Sequence, residues 1–273
     1  MTTRETPAEI LLVGCGKMGS ALLTGWLQSD RVGRVNIVEP YPPDPALPLS
    51  DRVVLHASIS TVAPSWRPNV VVFAVKPQVI ADVVPAYREI VASGALVLSI
   101  AAGKTIAGFE KLLGAAAIVR AMPNTPAAIG RGITVAVANE RATPSQKAVA
   151  QRLLEAVGRV SWVEDEDLLD AVTAVSGSGP AYVFLLIEAM TAAGIAAGLP
   201  PALAEQLARE TVAGSGELAR QSPESATQLR KNVTSPNGTT EAALRILMGE
   251  DGMSPLLARA IDAATRRSRE LAG

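Results

Sequence analysis

The run Ile10-Leu-Leu-Val-Gly14-Cys-Gly16-Lys-Met-Gly19 sets three glycines at the spacing G-x-G-x-x-G. An apolar stretch precedes it, and a helical pattern, Ala21–Leu27, follows. Gly14 permits a tight turn, Gly16 lets the backbone approach a pyrophosphate, and Gly19 lets the helix pack close to the strand. The N-terminus of that helix then offers unpaired N–H groups to phosphate oxygens. Glu39 lies twenty residues beyond Gly19, at the end of the next apolar run. A carboxylate there accepts hydrogen bonds from ribose hydroxyls and repels an added 2′-phosphate, where an Arg would help. No Arg or Lys stands between Glu39 and Asp51. The spacing predicts a dinucleotide site, NAD(P)H, with a lean toward NADH from Glu39.

Three further loops follow apolar runs: Val71-Val-Phe-Ala-Val75-Lys76-Pro77, Ser99-Ile-Ala-Ala-Gly103 and Arg120-Ala-Met122-Pro123-Asn124-Thr125-Pro126. In an open α/β sheet, ligands sit beyond the carboxyl ends of the strands, so these loops are expected to meet the nicotinamide end. Lys76 is open to two readings, a site residue or a solvated surface charge. Asn124, between two prolines, is either functional or the holder of a turn through its side chain. Ser176-Gly-Ser178-Gly-Pro180-Ala-Tyr182 and Val233-Thr234-Ser235-Pro236-Asn237-Gly238-Thr239-Thr240-Glu241 each open a helix. The first reads as a cap with an early Pro, the second as a start capped by Thr239 or Thr240. Two hydroxyl-rich helix starts are also suited to a small carboxylate, through free N–H groups and the helix dipole.

These residues need a scaffold, and the chain divides accordingly. Strands are expected at Glu9–Val13, Arg34–Val38, Val53–Leu55, Val70–Val75, Ala95–Ile100, Ala117–Ala121, Ile133–Val137 and Arg159–Val163. Several are apolar without alternation, as strands covered on both faces are. Helical patterns between them imply βαβ units and a parallel sheet. Beyond about residue 164 the β-branched runs vanish and helices are expected at Glu166–Val175, Gly179–Gly198, Ala202–Gln221, Ser225–Asn232, Thr239–Gly249 and Met253–Leu271. The reading is α/β, with a dinucleotide-binding domain over 1–163 and a helical domain over 164–273. The proline-rich stretch Glu39–Leu49 reads as a stiff surface connection.

Composition narrows the chemistry. The chain has 273 residues, 48% hydrophobic and 19% charged, with 25 Lys and Arg against 26 Asp and Glu. A balanced charge and 3% aromatic residues argue against a nucleic-acid surface. The single Cys15 excludes an internal disulfide framework and a cysteine-cluster zinc site, and the single His56 excludes chemistry needing two imidazoles. No metal site is expected. The N-terminus lacks the basic and apolar regions of a secretory signal. The longest apolar segment, Ala181–Leu199, carries Glu188 and reads as a helix buried between subunits rather than a membrane span. A cytoplasmic protein is expected.

Taken in order along nearly the whole chain, the motifs GCGKMG at 14–19, AVKP at 74–77, AAG at 101–103, MPNTP at 122–126, SGSGPAY at 176–182 and NVTSPNGTT at 232–240 resemble those of the pyrroline-5-carboxylate reductase family. The last two together are highly specific; the glycine loop is shared with many dehydrogenases. The resemblance implies an N-terminal Rossmann-type doubly wound sheet and an all-α C-terminal dimerisation domain. It implies a homodimer through the C-terminal helices with the active site at its interface, and in many members a larger ring. The implied reaction is reduction of 1-pyrroline-5-carboxylate, a cyclic imino acid, to L-proline by NAD(P)H. Gly14, Gly16, Lys17, Met18 and Gly19 would hold the pyrophosphate. Ala74, Val75, Lys76, Pro77, Ala101 and Gly103 would surround the nicotinamide ribose and ring. Asn232 and Val233 would bridge cofactor and substrate, and Ser235, Gly238, Thr239 and Thr240 would take the substrate carboxylate and ring nitrogen. Thr240 and Lys76 are the candidate catalytic side chains.

The residues present suit that chemistry. An iminium can form in solution, so hydride transfer to its carbon requires positioning of two rings more than a strong enzymic acid. The turn reads Ser-Pro-Asn-Gly where the family typically has Ser-Pro-Gly-Gly, and Asn tolerates left-handed backbone angles. Glu39 departs from the small or basic residues of many NADPH-preferring members. A β-hydroxyacid dehydrogenase would need a Lys on the interdomain helix, and none lies between Lys147 and Lys231. A non-catalytic dinucleotide sensor would give the two polar helix starts no reason to recur together.

Overall fold

A computed structural model describes residues 7–28, 32–42, 47 and 50–272. The extreme N-terminus read for targeting lies outside the described residues, as does most of the proline-rich connection beyond Pro42. By spatial contact the chain forms two compact units, Met1–Gly177 with Thr265–Gly273, and Ser178–Ala264.

The first unit is built on β1 (Ala8–Val13), α1 (Lys17–Leu27), β2 (Val32–Val38), β3 (Val53–His56), β4 (Val70–Phe73), α2 (Ile80–Val83), α3 (Arg88–Ala92), β5 (Leu96–Ser99), α4 (Ile106–Leu113), β6 (Ile118–Met122), β7 (Gly132–Ala138), α5 (Pro144–Glu155), β8 (Gly158–Trp162) and α6 (Leu168–Val172). The eight strands form one sheet in the order β3-β2-β1-β4-β5-β6-β7-β8. The order reverses between β1 and β4, and a ligand crevice in such a sheet opens at that point.

Both faces are covered. Ile10 and Leu12 of β1 pack on one side with Leu22, Trp26 and Leu154. Leu11 and Val13 pack on the other with Phe73, Tyr87 and Phe109. This explains why β1 is apolar throughout rather than alternating. Phe73 meets the Tyr87 ring edge-on at 5.4 Å. Trp26 is fully buried and its indole N–H donates to the Leu153 carbonyl at 2.9 Å, tying α1 to α5.

The sheet corrects the expectation of all-parallel pairing. β6 and β7 are antiparallel, with Arg120 opposite Val137. Only residues 123–131 join them, with a short 3₁₀ turn over Thr125–Ile129. A parallel crossover needs a dozen or more residues, so this chain must turn back. β8 then pairs parallel to β7 after α5. A capping box of Thr143 and Gln146 starts α5.

The helix expected over 166–175 is also shorter. α6 ends at Val172 and a π turn occupies Thr173–Gly177. The segment after β8 is fastened to the sheet. Arg120 is buried on β6 and donates to Glu166 Oε1 at 2.7 Å, and the same oxygen accepts the Ile106 N–H at 2.8 Å. The last turns of the final helix fasten there too, where Ser268 Oγ donates to Asp170 at 2.6 Å.

The second unit contains α7 (Gly179–Ala196), α8 (Pro201–Gln221), α9 (Ala226–Asn232), α10 (Thr239–Leu247) and the start of α11 (Met253–Ala272), which ends in the first unit. Gly198, at φ 99°, ends α7, and the Leu199 N–H returns to the Gly194 carbonyl. That is a Schellman stop, followed by Pro200 and Pro201. A Cβ at Gly194 would lie 3.3 Å from Ala204 Cβ of α8, so the glycine lets the two helices approach closely. No residue of α7 is buried, and Val183, Phe184, Leu185 and Met190 are exposed.

Candidate dinucleotide site and substrate turn

At the sheet's switch point the three glycines of the loop are distinguishable by what a Cβ would meet. Gly14 stands at φ 88°, and a Cβ there would lie 2.7 Å from Val75 Cγ1 and 3.0 Å from the Ala74 carbonyl. At Gly19 it would lie 2.6 Å from the Gly14 carbonyl oxygen. At Gly16 it would meet nothing within 4 Å. Gly14 and Gly19 are therefore required by the protein's own packing, through the turn and the close approach of α1. Gly16 faces open space at the N-cap of α1. No side-chain bond caps it and no acidic residue occupies the first turn. This geometry fits an anionic pyrophosphate.

Glu39 is half-buried and joined to that loop. Its Oε2 accepts the Cys15 N–H at 2.9 Å and its Oε1 accepts the Tyr41 N–H at 3.2 Å. The Glu39 N–H in turn donates to the His56 carbonyl on β3. A carboxylate has about four lone-pair sites, so two remain for a ribose diol. Burial pushes the Cys15 thiol up, and the Glu39 charge adds to the shift against a hydrogen bond shared with Ser20. The loop therefore presents no thiolate to repel a phosphate.

The expected strand Val70–Val75 stops at Phe73. Ala74 and Val75 instead form the wall beneath Gly14, and Lys76 caps the 3₁₀ turn Pro77–Val79 with its side chain exposed. Lys76 makes no ion pair among the described residues. Ala101 is buried, and Gly103 stands at φ 67° against Leu271 near the end of α11. Lys17 is exposed and Met18 half-buried at the start of α1.

Asn124 holds its turn. Its Oδ1 accepts the Ile133 N–H at 3.0 Å, and its Nδ2 donates to Ser176 Oγ at 3.3 Å. Beside it, Met122 Cε packs on Gly177, where a Cβ would overlap it at 2.4 Å. Sequence reading pointed to neither Arg120 with Glu166 nor the partner of Asn124; those pairs are 46 and 52 residues apart in the chain.

Within the second unit, Ser235-Pro236-Asn237-Gly238 forms a tight turn closed by the Gly238 N–H on the Ser235 carbonyl at 3.1 Å. Asn237 has φ 58°, with Pro236 before it, as a type II turn demands. The cap differs from expectation. Gly238 occupies the N-cap, so Thr239 and Thr240 fall inside the first turn of α10. Glu241 reaches back to accept the Asn237 N–H at 2.8 Å. No side chain caps the first-turn N–H groups of α10, so the expected threonine cap is absent. The hydroxyls of Ser235, Thr239 and Thr240 have no hydrogen-bond partner among the described residues. Asn232 Oδ1 accepts from Gln228 and its Nδ2 donates to Glu224 at 3.0 Å, while Val233 is exposed. Ser178 at the start of α7 makes no capping bond.

A doubly wound sheet, an open glycine loop at its switch point and a carboxylate on that loop define a nicotinamide-dinucleotide oxidoreductase. Comparison with known proteins narrows the class. Residues 166–271 match the family profile described as pyrroline-5-carboxylate reductase dimerisation, and residues 9–103 match that described as NADP oxidoreductase coenzyme F420-dependent. A pyrroline-5-carboxylate reductase of Pseudomonas aeruginosa is 39% identical over 98% of both chains. One from Mycobacterium leprae is 40% identical over 97% of both. The solved structure of a pyrroline-5-carboxylate reductase from Coxiella burnetii is 35% identical, with TM-score 0.88 over 98% of this chain and 100% of that one. A Plasmodium falciparum pyrroline carboxylate reductase with NADP bound has TM-score 0.82 at 28% identity, over 97% of this chain and 98% of that one. The chain belongs to the pyrroline-5-carboxylate reductase family.

Proposed function

We propose that this protein reduces 1-pyrroline-5-carboxylate to L-proline with NAD(P)H, the final step of proline biosynthesis. The observation that carries this reading is kinship over 98% of the chain with a pyrroline-5-carboxylate reductase. The glycine loop and its open Gly16 give the dinucleotide a place to bind.

The cofactor, when bound, supplies a hydride to the imine carbon. The chain's own residues do the positioning. Gly14, Gly16, Lys17, Met18 and Gly19 hold the pyrophosphate on the N-terminus of α1. Ala74, Val75, Lys76, Pro77, Ala101 and Gly103 surround the nicotinamide ribose and ring, with Asn232 at the junction of cofactor and substrate. The turn from Val233 to Thr240 takes the imino acid. Free N–H groups and the hydroxyls of Ser235 and Thr239 face its carboxylate, and the Thr240 hydroxyl orients the ring nitrogen or relays its proton. The free ammonium of Lys76 adds positive charge near the reacting end.

Glu39 carries the finer reading that NADH is preferred. Its fixed carboxylate has room for ribose hydroxyls and would repel a 2′-phosphate. A second copy of this chain covers the exposed apolar helix α7, and dimers so formed can close into a larger ring. An apolar helix with no buried face in one chain needs such a cover. Leu168–Ala196 is long and apolar enough to cross a membrane, but subunit contact is the better use of a stretch that carries Glu188. On this reading the protein works in the cytoplasm.

The test is a near-ultraviolet absorbance assay with 1-pyrroline-5-carboxylate, run with NADH and with NADPH. Oxidation of either with proline as product is expected. Failure of both to be oxidised by a protein that binds them would overturn the reductase reading.

A further inference from the structure

The hydrogen bonds around Asn124 have a fixed direction. Its Oδ1 is committed to the Ile133 N–H at 3.0 Å, so the amide cannot be flipped without losing that bond. The Nδ2 must then donate, and Ser176 Oγ accepts from it at 3.3 Å. Ser176 is left with its own proton to give, and no acceptor for that proton is found among the described residues. The hydroxyl sits in the π turn Thr173–Gly177, on the same stretch as Gly177, which rests against Met122 at the carboxyl end of β6. A π turn in a helical run often marks a functional position.

We propose that Ser176 is a cofactor-binding residue that donates its hydroxyl proton to the carboxamide oxygen of the nicotinamide, and that Asn124 is the residue positioning it. The inference rests on the reading above, in which the nicotinamide end lies beyond the carboxyl ends of β4 to β6. That end carries one strong neutral acceptor, the carboxamide oxygen. A donor of fixed direction there holds the ring's rotation about its glycosidic bond, and hence the face from which hydride leaves. Asn124 acts at a distance: its amide occupies the lone pair of Ser176 and turns the O–H outward.

The discriminating pair of ligands is NADH and ADP-ribose, which lacks the nicotinamide. Dissociation constants are measured for both by titration calorimetry on the full chain, with wild type, Ser176→Ala, Asn124→Ala and the double variant. The expected result is that S176A weakens NADH about three- to tenfold, the range of one neutral hydrogen bond, and leaves ADP-ribose unchanged. Unchanged ADP-ribose binding also shows that S176A is folded. N124A is expected to lose the same NADH-specific factor, and to lose nothing further on that measure in the S176A background. Equal binding of NADH by S176A and wild type, or equal weakening of both ligands, would overturn the proposal while leaving the dinucleotide site intact. A wild-type protein that binds neither ligand would overturn the dinucleotide reading and this one with it.

Discussion

Glu39 Oε2 lies 2.9 Å from the Cys15 N–H, so the acid at the end of β2 is hydrogen-bonded to the glycine loop before any ligand arrives. One side chain thus holds the loop and, on the proposed reading, also faces the ribose. The two roles separate by substitution. Glu39→Gln keeps an oxygen for the Cys15 N–H and removes the charge. It is expected to raise kcat/KM with NADPH relative to NADH by on the order of tenfold, with Tm little changed, because the like charge opposing the 2′-phosphate is gone. Steady-state rates with both cofactors check it. An unchanged ratio would mean that Glu39 only holds the loop.

The glycine loop makes a different separation. Gly14→Ala must strain a backbone at φ 88° and crowd Val75, and Gly19→Ala must push on the Gly14 carbonyl. Each is expected to cost about 2 kcal/mol or more of stability in the absence of cofactor. Gly16→Ala has open space around it. Its unfolding curve should match wild type while its affinity for NADH falls at least about tenfold, because the methyl group occupies the pyrophosphate's approach. Urea denaturation and NADH titration read the two effects independently.

Arg120 and Glu166 test how the segment after β8 is held. The side chains are 6% and 25% exposed, so the pair is mostly but not wholly out of water. Arg120→Met leaves Glu166 with only the Ile106 N–H as partner. The expected loss is about 2–4 kcal/mol, toward the lower part of the range for a buried pair that loses one member. Denaturant midpoints for R120M, E166Q and the double variant measure it, and the double should cost less than the two singles summed. Additive losses would mean that the bond contributes little.

The face of α7 gives an oligomer prediction. Phe184 and Leu185 are exposed by 58% and 62% in the single chain. If a second copy covers them, Leu185→Asp places an unpaired charge in that contact and should dissociate the assembly by several kcal/mol. Sedimentation velocity is expected to show the wild type at a dimer or a multiple of it, and L185D at a lower mass. A wild-type monomer would remove the second copy as the cover.

Much of the architecture was legible because it is local. An apolar run between turn residues forms a strand wherever both faces are covered, and all eight expected strands are present with ends within a few residues. The glycine spacing announces its own backbone, and Ser-Pro-Asn-Gly announces a type II turn, with Asn237 at φ 58°. Nearest-neighbour chemistry decides these, so sequence adjacency is enough.

What the sequence left open depends on which segments meet. The length of the 123–131 connection requires β7 to turn back, but the run Ile133–Val137 has no mark of its direction. Neither Thr239 nor Thr240 caps α10, because Gly238 takes the N-cap place, and Glu241 instead ties the first turn back to the Asn237 N–H. Asn124 read as either a functional residue or the holder of a turn; that it donates to Ser176 depends on a π turn 52 residues away. Residue types and their spacing therefore determined the family, the strands and the glycine loop. The tertiary structure alone decided the partners of Arg120, Glu39 and Asn124, because a buried polar group takes whichever partner the packing brings within 3 Å or so, however distant in the chain.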